Sequence, residues 1–138
     1  HWPEKIAAGT ESNHPSGGYD FFATACELTG ASLPPNLDSI SYLPTLLGQP
    51  EKQKKHEYLY CESLEGETSV GVRYENWKLV QYRPGKSRKN EKQPQTPAKP
   101  DWRLYDLSED IGEEHNVAAS HPELVAKILA FLKRDGLL

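Results

Sequence analysis

The stretch Trp102–Ala118, WRLYDLSEDIGEEHNVA, decides how the fold is read. Trp102, Leu104, Tyr105 and Leu107 make a short apolar strand. It runs into an acidic turn of Glu109, Asp110, Gly112, Glu113 and Glu114, and closes on His115-Asn116-Val117-Ala118. Asp and Asn side chains accept hydrogen bonds from nearby backbone N–H groups in such turns, and Gly112 permits an unusual dihedral. On pattern alone this is a strand delivered through a tight connection to a final helix.

Downstream, Ser120-His121-Pro122-Glu123 reads as a capping box with Pro in the first helical turn. Leu124, Ile128 and Phe131, with Val125, Leu129 and Leu132, form a broad apolar face. Lys133 and Arg134 suit the negative C-terminal end, and Gly136 stops the helix. Upstream the apolar period is two. Glu57–Glu62, Thr68–Tyr74 and Trp77–Tyr82 read as three more strands, with turns at Ser63–Glu67 and Glu75-Asn76 that predict antiparallel hairpins. The fold class expected is α+β: a four-stranded antiparallel sheet packed by a C-terminal helix and preceded by a short helical segment.

That leading segment has helical signals. Asp20 is a good N-cap for a helix over about Phe21–Thr29, with Phe21, Ala25 and Leu28 on one stripe, Phe22 and Cys26 beside it, and Gly30 as the stop. Ser41 is placed to cap a second short helix in which Pro44 is tolerated, and Gly48 ends it. His1–Gly9 reads as an interrupted strand, Thr10–Gly18 as a turn-rich loop containing His14, and Gln49–His56 as a polar link. Two regions are expected, 1–50 and 51–138.

The charge is unevenly spread. The whole chain of 138 residues carries −4, but Arg83–Arg103 holds seven Lys or Arg against Glu91 and Asp101, a local +5 that leaves −9 on the remainder. A basic loop on an acidic body can attract an anion such as a sulfated glycan; a solvated loop is the blander reading of the same residues. A sequence pI near 5.7 and the lack of aromatic-basic alternation argue against a nucleic-acid partner. No run approaches the ~18 apolar residues that cross a bilayer, so no membrane partner is expected. The first residues do not read as a secretion signal, and with no Met in the chain a processed product or a piece of something longer is expected. Two Cys do not make a disulfide framework: Cys26 and Cys61 are expected to be buried free thiols, with one disulfide the alternative. No C-x-x-C or H-x-x-x-H spacing is present for structural zinc.

The order of residues adds a family resemblance. Leu104, Tyr105, Asp106, Leu107, Asp110, Glu113, Asn116 and Ala118 resemble the L-Y-D-L-x-x-D-x-x-E-x-x-N-x-A segment near the C-terminus of arylsulfatase-family enzymes, with Ile111 in place of a Pro. Four further segments are similar to the family in the family's order. They are Trp2-Pro3 to Gly9 (W-P-G-x-I-x-x-G, Glu4 for Gly), Asp20 and Thr24 of S-x-x-D-x-x-P-T-L, Asp38 to Gly48 (D-G-x-S-x-x-P-x-L-x-G), and Arg73 to Lys78 (R-x-x-x-W-K).

The resemblance implies the last third or so of a sulfatase: the edge of the large α/β domain over 1–50, then the C-terminal α+β subdomain over 51–138. It implies a parent enzyme that hydrolyses aryl or carbohydrate sulfate esters, using a formylglycine and a divalent cation such as calcium, and exported as a secreted or periplasmic protein. The upstream catalytic domain of the same polypeptide would be the partner, with sulfated carbohydrate as the ligand. The formylglycine motif C/S-x-P-x-R is not found at Cys26 or Cys61, and no Asp-Asp pair offers a metal site. No catalytic residue, metal ligand or cofactor is therefore assigned to this chain, which is expected to be inert alone. Lys86, Arg88, Lys89 and Lys92 are the substrate-proximal candidates; Arg73 and Lys78, with Glu62, come second, an ion pair on the sheet face being their plainer role. The rival class is a stand-alone binding or structural module for anionic polymers, organised by the 83–103 loop.

Overall fold

The computed structural model describes residues 2–63, 68–82 and 101–138. They form two compact units, divided between Glu57 and Tyr58.

The second unit is the antiparallel sheet and its helix. Strands β1 (Leu59–Glu62), β2 (Thr68–Tyr74), β3 (Trp77–Tyr82) and β4 (Asp101–Asp106) lie in the order β1-β2-β3-β4. β2 and β3 keep their predicted bounds. β1 starts at Leu59 instead of Glu57, because its pairing with β2 begins at Leu59↔Arg73. β4 is shifted one residue earlier than expected. Leu107 leaves the ladder and its N–H donates to the Asn76 carbonyl at 2.8 Å.

Register builds the core. Val72 lies opposite Leu79, and Leu79 opposite Leu104, so three fully buried side chains line up across three strands on one face. The last helix, α3 (Pro122–Arg134), covers that face and adds Ile128 and Leu132, both at 0% exposure. Each such burial is worth about 1.5–3 kcal/mol. The capping box expected at the start of α3 does not form. Ser120 sits in a 3-10 turn over Ala118–Ser120, His121 takes the N-cap place without a side-chain bond, and Pro122 opens the helix. The helix instead gains its first-turn contact from Trp77, whose ring lies 4.9 Å from that of His121.

The first unit contains helices α1 (Asp20–Thr29) and α2 (Leu43–Leu46). α1 ends as expected at Gly30, in the left-handed region at φ 71°. Its inward face is made of small and polar residues. Ala23, Thr24 and Cys26 are buried with Asp20, while Phe21 is 63% and Phe22 50% exposed and Leu28 also faces out. Asp20 is the cause. It is the first helical residue, not the cap, and its carboxylate is turned inward to accept backbone N–H groups. Thr24, one turn on, is inward with it.

Both cysteines are free thiols. Cys26 is buried as expected; Cys61 is exposed, since β1 is an edge strand and its outer half lies uncovered. Cys61 Sγ rests against Gly71 on β2, where an added Cβ would come within 2.8 Å of the sulfur.

Candidate functional site

The carboxylate-rich turn after β4 is where chemistry would be sought first, and its Asp and Asn side chains are turned to the backbone. Asp106 Oδ1 accepts from the Ser108 N–H at 3.0 Å and from the Ser108 hydroxyl at 2.6 Å. The Asp110 carboxylate accepts from the N–H groups of Glu114 and His115 at 3.1 and 2.8 Å. These bonds hold both carboxyls below the usual range: for Asp106 the Ser108 hydroxyl is the larger cause, for Asp110 the His115 N–H. Asn116 Oδ1 takes the Leu104 and Ala118 N–H groups at 3.1 and 3.0 Å, and the Val117 N–H donates to the Leu104 carbonyl at 2.8 Å. The outer edge of β4 is thereby covered at Leu104 by its own downstream turn, which blunts an edge that could pair with another chain.

Glu113 completes the turn. Its backbone is in the left-handed region at φ 56°, and its carboxylate accepts from Lys78 Nζ. Lys78 and Arg73 are direct cross-strand neighbours on β3 and β2, so their side chains leave the sheet on the same face. Like charges so placed repel. The Lys78–Glu113 pair offsets this, while Arg73, exposed, donates through Nε to the Glu75 carbonyl at 3.2 Å. Glu62 stands on exposed β1 beside Tyr60; burial, and then the Glu62 charge, raise the Tyr60 phenol. The structure thus brings Arg73 and Lys78 together and leaves Glu62 on another strand. Lys86, Arg88, Lys89 and Lys92 lie outside the described residues.

A third polar centre was not foreseen from sequence. Asp20, at 1% exposure, accepts from the Gly17 N–H at 2.7 Å and the Ile40 N–H at 2.8 Å, and lies 2.9 and 3.0 Å from His56 Nε2 through its two oxygens. The Tyr19 ring meets His56 edge-on at 5.7 Å. The Ser39 hydroxyl donates to the Tyr19 carbonyl, and the Tyr42 N–H donates to the Thr24 hydroxyl. One carboxylate therefore joins the start of α1 to residues 39–42 and to His56. A His–carboxylate pair can orient an imidazole for acid–base work. Here the carboxylate is already shared with two backbone donors, and no Ser or Cys nucleophile is bonded to the imidazole among the described residues. Nothing in spacing could have revealed the pair: His56 sits in a polar link 36 residues from Asp20.

Among the described residues the donor set does not fit a resident cation, and the sequence holds no formylglycine motif. Among the described residues no three His, Cys, Asp or Glu groups converge as a metal site. The Asp106 and Asp110 carboxylates are engaged by N–H and hydroxyl donors and that of Glu113 by the Lys78 ammonium, and neither Cys is followed by x-Pro-x-Arg.

Comparison with known proteins agrees with this architecture. Residues 1–135 match the family described as N-sulphoglucosamine sulphohydrolase, C-terminal. An N-acetylgalactosamine-6-O-sulfatase of Bacteroides thetaiotaomicron is 29% identical over 142 aligned positions, covering 96% of this chain and 25% of that protein. The solved structure of a 2-O GAG sulfatase superposes with a TM-score of 0.60 at 26% identity, covering 83% of this chain and 23% of that one. A solved structure described as in complex with its substrate D-glucosamine-2-N,6-O-disulfate gives 0.66 at 22% identity, over 96% and 26% of the two chains, and so shares the fold. The chain spans about a quarter of the length of these relatives. By the match that runs through nearly all of its residues, the chain belongs to the C-terminal family of the sulfatases.

Proposed function

We propose that this chain is the C-terminal portion of a hydrolase that cleaves sulfate esters of carbohydrates, and that it is catalytically inert by itself. The observation that carries the reading is a match over residues 1–135 to a sulfatase C-terminal family in a chain whose 138 residues nowhere contain C/S-x-P-x-R. The nucleophile, the divalent cation and the proton donors belong to the upstream catalytic domain of the same polypeptide. This chain supplies packing surface and a wall of the substrate cleft. The apolar side chains exposed on the first unit, Phe21, Phe22 and Trp2 among them, support the packing role. Sulfated carbohydrate is favoured as substrate by the N-acetylgalactosamine-6-O-sulfatase relative, and export of the parent by the same family membership. Among the described residues no helix is long and apolar enough to cross a membrane.

Lys86, Arg88, Lys89 and Lys92, in a segment with a local charge of +5, would attract the anionic substrate. Arg73 and Lys78 are weaker candidates, since both already have partners on the sheet face. Charge reversal at the four loop positions should raise KM of the native-length enzyme and flatten its salt dependence; an unchanged KM overturns the loop's role.

The reading as a whole is tested on two counts. The purified 138-residue chain should show no turnover of a sulfate ester, and measurable turnover would overturn its inertness. An antibody against the chain should detect a native protein several times larger than 15.5 kDa. A band at 15.5 kDa would replace the enzyme reading with a stand-alone module for anionic polymers bound through 83–103.

A further inference from the structure

The first unit contains a cleft of about 900 Å³ that no part of the reading above uses. One wall is residues 5–15, the other residues 45–55. Both walls are held by their own hydrogen bonds. On the first, the Lys5 and Ile6 N–H groups donate to the Trp2 carbonyl, and the Thr10 hydroxyl donates to the Ala7 carbonyl at 2.9 Å. On the second, the Gln53 amide is a clamp. Its oxygen accepts from the Thr45 N–H and hydroxyl at 3.1 and 2.7 Å, and its nitrogen donates to the Ser41 carbonyl at 2.9 Å. Gly48 turns that wall at φ 68°. A cleft with both walls braced loses little conformational freedom on binding.

Its lining is chemically mixed. Ile6, Leu46 and Leu47 give apolar surface, and Asn13 and His14 give polar groups. Lys5 and Lys55 are exposed cations that enter no ion pair among the described residues; Glu11 is the single carboxylate of the lining. The His14 imidazole lies partly buried within the fields of Asp20, Lys55 and His56. Burial, more than any of these charges, lowers its pKa, so it presents a neutral ring that can donate or accept. Apolar patches beside neutral hydrogen-bonding groups, with two ammonium groups at the rim, match a sugar ring that carries a sulfate. The size is within the range of ligand sites.

We propose that this cleft binds a sulfated sugar unit, with Lys5 and Lys55 meeting the sulfate and Asn13 and His14 the ring hydroxyls. The proposal rests on the carbohydrate-sulfatase reading for its choice of sugar. It does not use the 83–103 loop.

The test is a titration of the full isotope-labelled chain, followed by amide shifts, with three probes: a disaccharide containing 6-sulfated N-acetylgalactosamine, the same disaccharide unsulfated, and inorganic sulfate. The sulfated sugar should give saturable shifts at residues 5–15 and 45–55. The unsulfated sugar and the Lys5→Glu/Lys55→Glu double variant should each bind at least about tenfold more weakly, the size expected on losing a charge-assisted contact. His14→Ala should weaken the sulfated and unsulfated sugars by the same factor. Lys133→Glu, a charge reversal elsewhere on the surface, should alter nothing. The lysine variants lie on exposed positions, and retention of the wild-type amide spectrum away from the cleft verifies the fold of all three. The proposal is overturned by the absence of saturable shifts, by shifts confined to 83–103, by equal affinity for the unsulfated sugar, or by inorganic sulfate binding as tightly as the sulfated sugar. Failure here leaves the sulfatase reading intact, because that reading is judged by native size and turnover; failure there with binding intact leaves a sulfoglycan-binding module.

Discussion

The two units are stabilised by opposite means. In the second, Val72, Leu79, Leu104, Ile128 and Leu132 are all fully buried and the polar groups sit at the margins. In the first, the buried set is Ala23, Cys26 and Leu43 with two polar residues, Asp20 and Thr24, while Phe21 and Phe22 face outward. One unit is a hydrophobic core with polar closures. The other is a polar hub with its largest apolar side chains left over. Burial of apolar area is non-directional and tolerates repacking. A buried carboxylate holding three partners is directional, and losing it strands each donor.

The comparison can be broken most directly in the sheet. Leu104→Ala should cost about 2–5 kcal/mol, through lost burial and the cavity left behind. Urea unfolding should show the loss in the second unit, while the amide of Ile40, in the first, keeps its exchange protection. If both units lose protection together, they are not energetically separable and the contrast fails.

Asp20→Ala comes next. It removes the acceptor of the Gly17 and Ile40 N–H groups and the partner of His56, leaving part-buried donors unpaired. The expected cost is about 2–3 kcal/mol, confined to the first unit. Asp20→Asn keeps one acceptor oxygen and should recover part of this, whereas Phe21→Ser, at an exposed site, should change stability by less than about 0.5 kcal/mol. A Phe21→Ser loss as large as that of Asp20→Ala would show that apolar packing holds this unit too.

Asn116→Ala should have a smaller effect, about 1–2 kcal/mol, because it frees the Leu104 and Ala118 N–H groups at a part-exposed edge. Faster exchange at the Leu104 amide, with the β2–β3 amides unchanged, is the expected pattern.

The smallest effect is an acid-sensitive link at the margin of the second unit. The Asp135 carboxyl is pushed down to about 2, first by its bond from Arg134 and then by that from the Tyr58 hydroxyl. A carboxyl lowered on folding stabilises the fold above its unfolded value of about 3.9, and that contribution is lost as pH falls through the folded value. The Tyr58–Asp135 link should therefore hold at neutral pH and weaken between about pH 4 and 2. A carbon-detected titration of Asp135 checks this, and Arg134→Ala should move its midpoint upward. This link closes a stacked pair: Tyr58 and Phe131 lie parallel at 5.5 Å between centroids.

Much of the second unit was legible because its signals are local. The alternation of Val70, Val72 and Leu79 marks strands, and Glu75-Asn76 marks the turn between β2 and β3. Leu124, Ile128 and Leu132 mark a helix face. All depend on residues within a few positions of each other. Local periodicity says less about α1. Phe21, Ala25 and Leu28 form a regular stripe, but the helix turns Ala23, Thr24 and Cys26 inward, because Asp20 binds groups far along the chain. Ser120 failed as a cap for a related reason: the 3-10 turn that precedes α3 set its backbone before the helix began. The motif of the acidic turn was visible from residue order, but its work was not. Asp106, Asp110 and Asn116 bind backbone donors, and only the folded structure distinguishes a carboxylate aimed at an N–H from one aimed at a ligand.

The amino-acid sequence by itself determined the strand and helix alphabet of residues 57–138, the antiparallel hairpins, the unequal charge and the family order of motifs, because each is written in short-range periodicity or in residue order. The tertiary structure alone decided which face of α1 is buried, that Lys78 pairs with Glu113, that Asn116 covers the β4 edge at Leu104, and that His56 meets Asp20. Those outcomes depend on contacts between residues 12 to 36 positions apart, and the direction of a side chain over such separations is set by the folded backbone, not by the pattern of its neighbours in sequence.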